Sequence, residues 1–249
     1  MQFSIAALGA LLFGVNRANT ETVNYISALS SLQAGLFLLL GFYFYLLSKD
    51  FEKKKSKVAS YIVALVCYFA SVLSKEEGIT LPAVIFTYEW IYGTSADERY
   101  SVSFRRLFWR GLKLVVPFIG IAVLFLVLRT NIQPSVADSS RGSIPTFDYA
   151  ITQLRSWVFY WKLFFWPVHL NADNLEFDFS TGLDDFRIWL SLLFHICILA
   201  IGFRVARFYR FPLFALLWMY VTVLPASSVF RLVEAVNEHR MYIPYMFLS

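Results

Sequence analysis

Near the end of the chain, Asn237-Glu238-His239-Arg240-Met241-Tyr242-Ile243-Pro244 sets an acid, an imidazole and a guanidinium side by side. It follows Leu224-Pro225-Ala226-Ser227-Ser228, so the charges fall in a short polar connection between two apolar runs. Ionisable groups beside lipid are costly, which marks them as functional candidates. Two other segments hold similar groups: Glu21, in Asn19-Thr20-Glu21-Thr22, and Lys75-Glu76-Glu77-Gly78. Cations of this kind bind phosphate, and carboxylates can take a proton from an attacking hydroxyl. Each group also has a plainer reading. Glu21 suits a helix start, Lys75 to Gly78 a polar turn, and Glu238-His239-Arg240 the mouth of a helix with its charges reaching water.

Such groups need a scaffold, and the composition names it. The chain is 58% hydrophobic and 19% aromatic with a mean hydropathy of +0.59, too apolar for a soluble domain of 249 residues. The expected fold is all-α, a polytopic transmembrane bundle. A spanning helix needs about 20 mostly apolar residues. On that scale membrane segments are expected near 1–15, 28–47, 58–74, 79–93, 114–129, 187–203, 212–226 and from 241 onward. The first and last are too short to cross, so the chain reads as one transmembrane domain, 1–249, cut from a longer protein.

Lys and Arg set the orientation, because positive loops stay cytoplasmic. Alternating the spans gathers 48–57, 94–113 and 203–211 on one side, with thirteen bases against four acids. The loops 16–27, 75–78, 130–186 and 227–240 then face outward. Within the long outer loop, 150–167 carries Trp157, Tyr160, Trp161 and Trp166, rings that suit a headgroup boundary. Counting it as a crossing would expel Arg204, Arg207 and Arg210, so an interfacial helix ended by Pro167 is expected, the alternative being an ordinary spanning helix whose Arg155 and Lys162 reach water. The protein is thus expected to have seven or eight membrane helices and one interfacial helix.

Other chemistries find little support. Asp173, Glu176 and Asp178 lack the spacing of a calcium loop, and no His and Cys pairs have zinc spacing, so no metal site is expected. His195 reads as a packed core histidine and His169 carries no signal. Cys67 and Cys197 lie in apolar runs and act as small hydrophobes. Orientation accounts for the basic residues, so nucleic acid is not an expected partner. A transporter would place charges at mid-membrane, whereas these collect at helix ends.

The segments Thr20-Glu21-Thr22-Val23, Lys75 to Pro82, Tyr160 to Pro167 with Leu170 and Asp173, Leu224 to Ser228 and Glu238 to Pro244 resemble a known family. It comprises the TMTC-type protein O-mannosyltransferases and their bacterial relatives, which join a glycosyltransferase-C-like membrane domain to tetratricopeptide repeats. The resemblance implies transfer of a sugar, mannose in this family, from a polyprenyl-phosphate carrier to a protein or glycan hydroxyl. The transfer would occur outside a bacterial inner membrane or an endoplasmic reticulum membrane, with inversion and without metal. No resident cofactor is implied, since the lipid-linked sugar is a substrate. Carried onto this chain, Glu21 and Glu76 are the catalytic candidates, and Lys75, Arg155, Glu238, His239 and Arg240 the substrate-binding ones. Two departures bear on activity: Asn16-Arg17 stands where the family often has His-Pro, and Leu29 where it has Arg. The family's catalytic acid also belongs to a first outer loop that would precede Met1. An inactive relative, or a membrane scaffold whose outer loops bind a partner, is the alternative expectation.

The charge asymmetry predicts that a reporter fused after Lys55 remains in the cytoplasm and one fused after Arg141 emerges outside. Compartment-specific reporter activity in cells checks both.

Overall fold

A computed structural model describes residues 2–93, 104–132, 145–168, 170, 177–225, 227 and 236–248. The structure is helical, with no strand among the described residues. In chain order the helices are α1 (Gln2–Val15), α2 (Thr20–Asn24), α3 (Leu29–Asp50), α4 (Lys54–Ser74), α5 (Leu81–Tyr92), α6 (Phe104–Ile132), α7 (Thr146–Phe165), α8 (Phe186–Val205), α9 (Arg210–Leu224) and α10 (Tyr242–Tyr245). Short 3-10 turns precede α2, α3, α5 and α10.

Four stretches are long and apolar enough to cross a membrane: Leu29–Asp50, Lys54–Ser74, Phe108–Asn131 and Phe186–Val205. These correspond to four of the expected spans. The remaining apolar segments form shorter elements among the described residues. α5 has 12 residues and opens on Pro82. It rises about 18 Å, well short of a bilayer core of about 30 Å. α9 has 15 residues. From residue 241 to 248 the described residues form the end of a 3-10 turn, the four residues of α10 and a turn.

Two boundaries differ from expectation for identifiable reasons. α6 begins at Phe104, ten residues before the expected apolar start, so Arg105, Arg110 and Lys113 lie on helix. Hydropathy reports where lipid begins, whereas the helix continues for as long as its backbone bonds can form. α7 ends at Phe165 because Trp166, which precedes Pro167, takes φ −140° and ψ 74°. Proline's ring disfavours helical geometry in the residue before it.

The chain divides into two compact units, Ser30–Pro134 and Met1–Leu29 with Ser135–Ser249. In the first, the rings of Tyr45, Tyr61 and Tyr68 gather edge-on or tilted around Phe118 of α6. Gly41 allows α3 to approach α4 and α5, since a Cβ there would meet Leu81 at 2.9 Å and the Ala64 carbonyl oxygen at 3.4 Å. Gly78 presses the Lys75-to-Gly78 turn against the last turn of α4. A Cβ there would lie 2.7 Å from the Ser71 carbonyl carbon. Ser71 in turn donates its hydroxyl to the Ala34 carbonyl at 2.7 Å, linking α4 to α3. The second unit has a core of Tyr160, Trp161, Leu163, Met219, Val223, Met241 and Tyr245, supplied by α7, α9 and the segment around α10.

Gly78→Ala is expected to lower stability by about 1–3 kcal/mol, the usual cost of overpacking against unyielding backbone. Thermal unfolding in detergent, compared with the neutral control Gly120→Ala, where a Cβ meets open space, measures it.

Candidate functional site

The residues singled out above fall into three local groups, each with its own geometry. The first joins the two ends of the chain. Asn16 caps the 3-10 turn Arg17–Asn19 by accepting from the Ala18 N–H at 3.0 Å, and α2 follows with Glu21 in its first turn. Asn19 anchors the turn from below, its side-chain amide donating to the Phe13 carbonyl at 2.8 Å. Opposite lies the 3-10 turn Glu238–Met241, whose Asn237 cap accepts from the His239 N–H at 3.3 Å. Across these turns the Glu21 carboxylate meets His239 Nδ1 at 3.0 Å, joining residues 218 apart in sequence.

Burial divides the labour within this pair. The Glu21 side chain is 11% exposed and that of His239 25%. A carboxylate only accepts, so Nδ1 carries the proton and Nε2 is the ring's basic nitrogen. The other Glu21 oxygen, Asn19 Oδ1 and Thr22 Oγ1 are buried with no hydrogen-bond partner among the described residues. Glu238 and Arg240 flank His239 but are themselves buried and engaged, so the trio expected at a helix mouth is two interior charges around one accessible ring.

The turn that presents His239 is held from the side by α7. Tyr160 accepts from the Asn237 N–H at 3.0 Å and donates to the Asn237 carbonyl at 3.3 Å. Tyr245 donates to the Tyr160 carbonyl at 2.6 Å, and Trp157 donates its indole N–H to Ser227 at 2.9 Å. His195 is a core residue with partners no sequence pattern revealed: Nδ1 meets the Tyr220 hydroxyl at 2.7 Å and Nε2 the Leu154 carbonyl at 3.0 Å. In the same unit, a groove of about 430 Å³ lies beside α1, walled by Leu12, Val15, Phe164, Pro167 and Leu248 and rimmed by Asn16 and exposed Arg17.

Arg155 belongs to a second group. Its guanidinium donates to the Asp178 carbonyl at 3.0 Å and the Ser180 hydroxyl at 2.7 Å, reaches Asp185 at 3.4 Å, and lies over the Phe177 ring. Ser180 donates to Asp185 at 2.7 Å, and Asp185 also caps α8 by accepting from the Arg187 N–H at 3.0 Å. This network closes the segment that leads from α7 into α8.

Lys75 and Glu76 form the third group, in the unit of residues 30–134. Lys75 donates to Ser31 at 2.6 Å and pairs with Glu77 at 3.1 Å, while Glu76 pairs with Arg129 at 3.3 Å. The deeper carboxylate is Glu77, 5% exposed against 29% for Glu76. Adjacent acids in sequence give no hint of this. The available clue was Gly78, whose close approach to α4 draws Glu77 inward.

Among the described residues no three His, Cys, Asp or Glu side chains converge as metal ligands. Asp173, Glu176, His169, Arg231 and Glu234 lie outside the described residues. No family model matches the chain, and neither a curated protein nor a solved structure is significantly similar to it.

Hydrogen bonds from Arg187 and Ser180 hold the Asp185 carboxyl well below the usual carboxylate range. A carboxyl depressed on folding stabilises the protein above its unfolded value of about 3.9, and that stabilisation fades as pH falls further toward the folded value. Asp185→Asn is therefore expected to lower the melting temperature at pH 7 and to narrow its difference from wild type below about pH 4. Melting curves from pH 7 to pH 3 check it.

Proposed function

We propose that this protein is a membrane glycosyltransferase that moves a sugar from a polyprenyl-phosphate carrier to a hydroxyl of a protein or glycan on the extracytoplasmic face. The pairing of Glu21 with His239 carries the reading. Glu21 fixes the imidazole's tautomer, leaving Nε2 to accept the proton of the acceptor hydroxyl as its oxygen attacks the anomeric carbon. The bond from that carbon to the phosphate oxygen breaks as the glycosidic bond forms, with inversion, and polyprenyl phosphate departs. Arg17, at the rim of the apolar groove beside α1, suits the leaving phosphate, and the groove walls suit the prenyl chain. Mannose as the sugar, and Lys75, Glu76, Arg155, Glu238 and Arg240 as further contributors, rest on the family resemblance alone.

A second reading, a non-catalytic membrane scaffold, is favoured by one observation. Arg155, Lys75 and Glu76 hold partners inside the protein, as structural charges do.

His239→Ala is expected to reduce transfer by about 10²–10⁴-fold, the usual contribution of a general base, and Glu21→Gln to reduce it less. Transfer from radiolabelled polyprenyl-phosphate mannose, assayed in membranes containing equal amounts of each inserted variant, measures both. Equal turnover in His239→Ala removes the proposed base. No transfer by the wild-type protein from mannosyl or glucosyl donors selects the scaffold.

A further inference from the structure

The unit of residues 30–134 holds a cavity that the proposed chemistry does not use. It measures about 860 Å³ and opens between α3, α4 and α6, three helices that contain membrane-length apolar stretches. Its wall includes four cations, Lys49 near the end of α3, Lys57 in the first turns of α4, and Arg110 and Lys113 in the first third of α6, and no carboxylate among the described residues. Glu89 neutralises one of the four. It is buried in α5 and pairs with Lys49 while accepting from the Tyr45 hydroxyl at 2.7 Å. Arg110 donates to the Gly93 carbonyl at 3.2 Å and has no carboxylate partner among the described residues. Lys57 and Lys113 are exposed and have no carboxylate partner among the described residues.

The backbone adds to this field. The N-termini of α4 and α6 carry the partial positive charge of their unpaired N–H groups, where acidic side chains are normally favoured. Neither helix has an acid in its first turn, and α4 has no side-chain cap. The remaining lining combines Ser48, Tyr45 and Tyr61 with apolar Val58, Trp109 and Leu114, and Val58 and Trp109 are 49% and 51% exposed. A cationic end above an apolar flank, between helices at a membrane boundary, matches an amphiphile with a negative head. On the positive-inside rule this end faces the cytoplasm, whose leaflet supplies anionic phospholipid.

We propose that this cavity binds the phosphate of an anionic phospholipid. Lys57, Arg110 and Lys113 hold the headgroup, and Val58, Trp109 and Leu114 flank the upper acyl chains. Inorganic phosphate shares the headgroup chemistry but lacks the chains, so the two sources separate experimentally.

The test uses the purified protein in neutral detergent, titrated with phosphatidylglycerol, phosphatidylcholine or inorganic phosphate, and read by native mass spectrometry and melting temperature. Phosphatidylglycerol is expected to bind and raise the melting temperature, with phosphatidylcholine and phosphate giving little. K57Q/R110Q/K113Q is expected to weaken phosphatidylglycerol binding about tenfold or more, since each cation contributes about fivefold near a charged surface. K53Q/K54Q/K55Q removes the same charge outside the lining and should leave binding within about twofold. Should the triple variant fail to fold, K57Q and K113Q singly, which break no ion pair among the described residues, must each weaken binding. Equal binding of both lipids, equal loss in the two triple variants, or stabilisation by inorganic phosphate matching that by the lipid would overturn the proposal.

Discussion

A charge inside an apolar bundle has to find an opposite charge or a hydrogen-bonding partner, and most of this architecture follows from that requirement. Glu89, almost wholly buried, meets Lys49 and Tyr45. Glu77 meets Lys75. Arg155 is absorbed by Asp178, Ser180 and Asp185. The Glu89 and Arg155 pairings join elements that apolar packing alone would leave free to slide, because contact between hydrophobic surfaces is non-directional. Breaking one partner of such a pair strands the other at a cost well above that of a surface ion pair.

The Glu21 and His239 pair differs from these in its setting. The acid is deep and the imidazole shallower, and the adjacent polar atoms of Asn19 and Thr22 are left unsatisfied. One buried Glu89 oxygen likewise has no hydrogen-bond partner among the described residues, so the feature that sets this pair apart is the exposure of its ring. The other pairs hold elements together, whereas this one also leaves a basic nitrogen for use.

How much of this could be read from the chain depended on the range of the interaction. Leu29–Asp50, Lys54–Ser74 and Phe186–Val205 followed from apolar runs, since a span is a local property of about 20 residues. The stop at Phe165 followed from Pro167 to within two residues. The prominence of Glu21 and Glu238-His239-Arg240 was visible as charge beside lipid. Their roles were not, because which member of a charged run turns inward depends on a contact elsewhere, as Gly78 against Ser71 decides for Glu77. Lys49 with Glu89 and His195 with Tyr220 lie 40 and 25 residues apart, beyond any helical period. α6 exceeded its apolar run because backbone hydrogen bonding is indifferent to where the hydrocarbon begins.

Tyr160 shows how narrowly one position can be constrained. A single oxygen serves both the N–H and the carbonyl of Asn237, so the turn bearing His239 is gripped at one point from two directions. Phenylalanine would fill the same volume and keep every ring contact, yet it would surrender both bonds together. Over evolutionary time, drift at this site has no halfway house: an aromatic ring without its hydroxyl should be purged as firmly as a small residue.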